Sequence, residues 1–267
     1  MTTDSLFPPR LSPSQIRTLL TCPRSYLFDK VLGIKSSNSD EEYFILGRAF
    51  DDLMHGADVA RVDLRPLDES KKDYRAMLSG MLAAVRAKFD CSKLQCAEMQ
   101  LRTETETMKV DGLYVDGNAW WLVEIKTASA SKFVIEDKVQ LLKRDTQLAG
   151  YVAKKDLIAD LLMLDVKQFK GIKYIWALKP TKKKDPVYEA HVVELTEKDL
   201  CDPAATWRTA KGYAKLIQDV IRTTWLQRNE ISEVPMNPTA CSTFMGDCGY
   251  YEQCYGRKCS SAGNADE

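Results

Sequence analysis

Lys109-Val110-Asp111-Gly112-Leu113-Tyr114-Val115 and Ala119-Trp120-Trp121-Leu122-Val123-Glu124-Ile125-Lys126-Thr127 flank the tripeptide Asp116-Gly117-Asn118. Two apolar runs around such turn chemistry read as an antiparallel hairpin. Side chains alternate along a strand, so Glu124 and Lys126 share one face while Asp111 arrives on the adjacent strand. Charged residues that end a buried strand are costly and need a reason to be there. Two carboxylates from paired strands supply hard oxygen ligands for Mg2+, and the ammonium beside them can stabilise charge or orient a water. The competing reading is an ordinary same-face ion pair between Glu124 and Lys126.

Outward from the hairpin, the N-terminal third reads as helical. In Leu11-Ser12-Pro13-Ser14 a serine oxygen can cap a helix over Gln15 to Leu20 that delivers Cys22. Tyr43 to His55 is a second helix, and Asp68 to Phe89 a third, with Tyr74, Met77, Leu78, Met81, Leu82 and Val85 on one face. Met99 to Thr107 alternates and suggests a further strand. Beyond the hairpin, helical texture fills Ser131 to Phe169. Strands follow at Gly171 to Leu178 and Val187 to Leu195, and a long helix at Glu197 to Gln227. Pro235 and Pro238 break the chain before a cysteine-rich tail.

The 267 residues suit one domain with a substantial core, 1–267, centred on roughly 43–230. Lysine plus arginine and aspartate plus glutamate balance at 38 each, which removes a global positive field and confines any DNA contact to a local basic patch. No apolar run approaches the roughly 18 residues of a membrane span. We therefore expect an intracellular, cytoplasmic protein with no membrane partner. No G-x-x-x-x-G-K-[ST] loop is present, which argues against an intrinsic ATPase.

Val110-Asp111-Gly112, Val123-Glu124-Ile125-Lys126-Thr127 and Gln147-Leu148-Ala149-Gly150-Tyr151 together resemble, in order and spacing, the RecB-type branch of the PD-(D/E)XK nucleases. The resemblance implies an α/β, restriction-endonuclease-like core: a small mixed sheet flanked by helices. It implies Mg2+ or Mn2+ held by Asp111, Glu124 and the Ile125 carbonyl, with Lys126 catalytic. Gln147 and Tyr151, four residues apart, share one helix face and can reach the site. The branch usually adds a metal-binding histidine in G-x-x-x-H. Here Gly47 is followed four residues later by Asp51, with His55 one turn further, so either is the expected replacement. The implied substrate is DNA, single-stranded or at duplex ends, and the implied reaction is exonucleolytic hydrolysis in recombination, repair or phage DNA metabolism. A structure-selective endonuclease, an adaptation-type nuclease working with protein partners, and a non-catalytic DNA-binding or assembly protein are the alternatives.

Eight cysteines in such a chain read more easily as metal ligands or thiols than as a disulfide framework. Cys22-Pro23 with Cys241, Cys248 and Cys254 resembles the one-early, three-late pattern of iron–sulfur members of that branch, and implies a [4Fe–4S] cluster joining residues 11–35 to 235–260. A structural Zn2+ on Cys241, Cys248, Cys254 and Cys259 is the rival. Cys91, Cys96 and Cys201 carry no assigned role. Arg24 and Tyr26 beside Cys22 are candidates for lining a DNA path. Trp120 and Trp121 are candidates for base stacking, with core packing the stronger reading, and Lys182, Lys183 and Lys184 form a basic loop.

Overall fold

The computed structural model describes residues 7–8, 10–34, 36, 42–65, 67, 72–131, 133–181, 186–228, 231, 234–237, 250 and 253–254. Two compact units emerge: Met1–Ser39 with Thr103–Glu106 and Arg208–Glu267, and Asp40–Arg102 with Thr107–Trp207.

The second unit is built on a five-stranded sheet in the order β1-β2-β3-β4-β5: Leu94–Arg102, Thr107–Asp116, Ala119–Ser129, Phe169–Lys179 and Glu189–Leu195. β3 and β4 are parallel and every other pair is antiparallel, so the sheet is mixed as expected. The hairpin closes where Asp116 pairs with Ala119, and Gly117 adopts φ +60, a conformation glycine reaches without a Cβ clash. Parallel strands require a crossover. It is supplied by α5 (Ile135–Leu142), α6 (Thr146–Ala153) and α7 (Lys155–Leu162).

Alternation along β3 serves two cores. Val123 and Ile125 join Ile175 and Ala177 beneath α3 (Glu42–Met54) and α4 (Tyr74–Arg86), including Phe50, Leu53, Leu78 and Met81. Trp120 and Leu122 join Ile172, Tyr174 and Trp176 beneath Leu142, Leu148, Tyr151 and Ile158. Each fully buried Leu or Ile in these layers contributes about 2 kcal/mol. Gly171 is obligatory in β4: its φ is +134, and a Cβ there would lie 2.0 Å from the Leu195 carbonyl oxygen.

In the first unit, Ser12 caps α1 (Pro13–Thr21) reciprocally with Gln15 in a capping box, where the sequence offered only a serine cap. α2 (Pro23–Tyr26) and a π-helical turn at Leu27–Val31 follow. The buried Arg24 guanidinium donates to the Val234 carbonyl through Nε at 3.1 Å and Nη2 at 2.8 Å, and its backbone amide donates to Pro235. Phe28 stacks on Tyr250 at 5.6 Å, and the Gln218 amide donates to the Tyr26 hydroxyl. Glu106, buried, pairs with Lys211. The two ends of the chain are thus joined within one unit by named contacts.

Several boundaries differ from the sequence reading. The strand expected over Met99 to Thr107 runs instead over Leu94–Arg102, and it ends there because Thr103 and Glu106 exchange hydrogen bonds that close a β1–β2 turn. The helical stretch after Ser131 is three helices, since Asp145 caps α6 anew and Met163 ends α7 at φ +54. The last helix, α8, starts at Pro203, after a short turn at Glu197–Asp199.

Candidate active site

The β2–β3 ladder runs as far as Gly112 opposite Val123. Beyond that pair the Ile125 amide donates to the Asp111 side chain, Oδ2 at 2.9 Å. A carboxylate therefore serves as acceptor at the end of the hairpin ladder, and this fixes Asp111 against β3. The Lys126 ammonium lies 2.5 Å from Glu124 Oε1 and 3.5 Å from Asp111 Oδ2, bridging the two carboxylates as the spacing predicts.

Opposite them, α6 delivers Gln147 and Tyr151 on one face. Its first turn is set by Asp145, whose Oδ1 accepts the Gln147 and Leu148 amides at 2.7 and 3.1 Å. Gln147 Nε2 donates to Glu124 Oε1 at 2.8 Å and to the Tyr151 hydroxyl at 2.6 Å. That hydroxyl lies 2.6 Å from the Lys109 carbonyl and 3.0 Å from Glu124 Oε2. It carries one proton for two acceptors, so a proton on Glu124 would complete the set. Asp145 and the Lys109 carbonyl were missed in the sequence; an Asp just before Thr146-Gln147 was the available sign of a cap.

Electrostatics follow from burial. Glu124 is 1% exposed, and desolvation raises its pKa to about 7; Asp111 adds to the rise, while Lys126 and Tyr151 oppose it. Burial works against the Lys126 ammonium, but the Glu124 and Asp111 carboxylates outweigh it and hold its pKa above the ordinary lysine value. Its side chain remains 41% exposed, so it faces both the carboxylates and solvent. Burial and the Glu124 charge push the Tyr151 phenol well above its usual range, keeping it a donor.

Two carboxylates sharing one ammonium leave a net negative charge in a largely buried place. A divalent cation suits that imbalance, and the donors are the hard oxygens such an ion prefers. Asp51 and His55 form a separate pair, His55 Nε2 lying 3.5 Å from Asp51 Oδ1 on α3. Gly47, one turn earlier, faces β3, where a Cβ would make ordinary contact with Thr127 Oγ1 at 3.6 Å. Among the described residues no three His, Cys, Asp or Glu side chains gather as a metal site.

Cys22 is buried between α1 and α2, and Cys254 is half-buried in the same unit. Cys241, Cys248 and Cys259, and the basic loop Lys182 to Lys184, lie outside the described residues. Arg24 and Tyr26 do not line a DNA path: Arg24 is buried on Val234, and Tyr26 is buried against Gln218. Trp120 is fully buried with its Nε1 donating to the Asp165 carbonyl. Trp121 packs edge-on to Tyr114 beneath the Lys173 ammonium, 4.4 Å from its ring centroid. Both tryptophans are committed to packing. Among the described residues no helix is long and apolar enough to cross a membrane.

A family model described as the PD-(D/E)XK nuclease superfamily matches residues 10–109, ending just before Asp111. The crystal structure named "Putative exonuclease" from Eubacterium rectale is similar at TM-score 0.53 and 12% identity, covering 96% of this chain and 91% of that one. The solved structure of SSO0001 is similar at TM-score 0.34 and 16% identity, over 78% of this chain and 77% of that one. No curated protein matches the chain. The family match covers residues 10–109 of the 267, and the similarity to the Eubacterium rectale structure is one of fold.

Proposed function

We propose that the protein is a RecB-type, Mg2+- or Mn2+-dependent deoxyribonuclease that hydrolyses phosphodiester bonds at DNA ends, in recombination, repair or phage DNA metabolism. The observation that carries this reading is the buried Glu124, flanked by Asp111 and bridged to it by Lys126. Exonucleolytic action is also the activity by which the similar Eubacterium rectale protein is described.

Asp111, Glu124 and the Ile125 carbonyl would hold the metal, with Asp51 or His55 as the candidate further ligand. A bound ion would supply Lewis-acid activation of a water and charge neutralisation at the scissile phosphate. Lys126, pinned between the carboxylates, presents its ammonium to the phosphate oxygens and stabilises the charge that develops on them. Gln147 and Tyr151 fix the Glu124 carboxylate, so that its oxygens keep one orientation. Cys22, Cys241, Cys248 and Cys254 would hold a [4Fe–4S] cluster, reinforcing the union of chain ends that Arg24 and Phe28 already make.

A cleavage assay with Mg2+ or Mn2+ on linear and closed-circular DNA, comparing the wild type with Asp111→Ala and Lys126→Ala, tests the reading. Loss of at least a hundredfold in both variants is expected, with circles left intact. Undiminished cutting by both variants overturns the site, and cutting of circles overturns the exonuclease. Iron and sulfide in an anaerobic preparation, lost in Cys248→Ser, are expected of the cluster; zinc in their place overturns it.

A further inference from the structure

Lys126 on β3, Trp176 on β4 and His191 on the edge strand β5 stand opposite one another across three adjacent strands. At the usual interstrand spacing the row spans about 10 Å. Trp176 belongs to the core layer beneath Tyr151, so the row lies on the face that carries Glu124 and Lys126. Phe133, in the segment between β3 and α5, stacks on the His191 ring at 5.3 Å with an interplanar angle of 17° and meets Trp176 edge-on at 5.5 Å. Tyr174 backs Trp176 at 4.5 Å. Trp176 is buried, but Phe133 and His191 are only half-buried, so the stack opens to solvent beside the lysine.

A polar imidazole held flat on a phenyl ring at a sheet edge contributes less to a core than an aliphatic residue would. Its flat, amphipathic surface matches a nucleobase, because base–aromatic stacking tolerates any sequence and suits an unpaired strand. We propose that Phe133 and His191, floored by Trp176, form a stacking platform for a nucleobase of single-stranded DNA next to the phosphate at Lys126. The proposal rests on the nuclease reading above and deepens it: the substrate end enters unpaired, with a base laid on the sheet edge.

Single-stranded oligonucleotides bearing one abasic residue at successive positions around the mapped cleavage site provide the test. With the wild type, one abasic position raises KM about tenfold. His191→Ala and Phe133→Ala raise KM for the intact oligonucleotide by a similar factor and abolish the abasic effect at that position, while His191→Phe restores both. A packing role alone would lower thermal stability without removing position-dependent discrimination. Equal KM for every abasic substrate with active wild-type enzyme overturns the platform and leaves the nuclease standing. Failure to bind or cleave any DNA overturns both.

Discussion

The sheet unit and the unit made from the chain ends hold their charged groups in opposite ways. In the sheet unit, Glu124, Asp111, Lys126, Gln147 and Tyr151 come from a stretch of about forty residues, and the buried carboxylate there remains under-compensated, with its pKa raised to about 7. In the other unit, Arg24 donates to the Val234 carbonyl and Glu106 pairs with Lys211, each across a long separation. Fully satisfied buried polar groups specify structure, whereas a site left short of positive charge is poised to bind it.

The comparison is broken most forcefully by Gly171→Ala, which sets a Cβ against the Leu195 carbonyl at a positive φ. A loss of about 4 kcal/mol, or failure to fold, is expected in urea denaturation. Near-wild-type stability would mean that the β4–β5 pairing is looser than it stands here.

The next effect concerns pH. Because the folded Glu124 pKa, about 7, lies above its ordinary 4.5, this group's contribution to stability is fully present below about pH 4.5 and is lost as pH rises through 7. The amount is about 3 kcal/mol. Metal-free Glu124→Gln should flatten this slope between pH 4.5 and 7.5, and saturating Mg2+ should offset it in the wild type. A slope that survives the substitution assigns it to another group.

Arg24→Ala sharpens the contrast from the other side. Removing the guanidinium from the Val234 carbonyl should cost about 2 kcal/mol. Limited proteolysis should report it as earlier cleavage near the chain ends, with the sheet unit protected as before. Equal sensitisation of both units would show that they unfold together.

Tyr151→Phe has the smallest predicted effect. The phenyl ring keeps its place in the core, but Glu124 and the Lys109 carbonyl lose a donor. The metal concentration for half-maximal cleavage should rise about tenfold with little change in melting temperature. An unchanged metal requirement separates Tyr151 from Glu124 positioning.

The hairpin was legible because its signals are local: alternation, turn residues and a two-residue offset between Glu124 and Lys126 are all properties of a single strand pair. Gln147 and Tyr151 were legible for the same reason, one helical turn apart. Arg24 and Tyr26 misled because a charged or phenolic residue beside a cysteine looks exposed in sequence. Their burial depends on Val234 and Gln218, roughly two hundred residues away.

The sequence by itself determined the mixed α/β character, the same-face placement of Glu124 and Lys126, and the pairing of Gln147 with Tyr151, since each follows from backbone periodicity. Only the tertiary structure decided that Asp111 holds the Ile125 amide, that α6 lies over Glu124, and that His191 and Phe133 reach the lysine's face of the sheet. Those outcomes depend on which strands become neighbours and how deeply a group is buried. Both are set by packing between segments distant along the chain, where local periodicity carries no information.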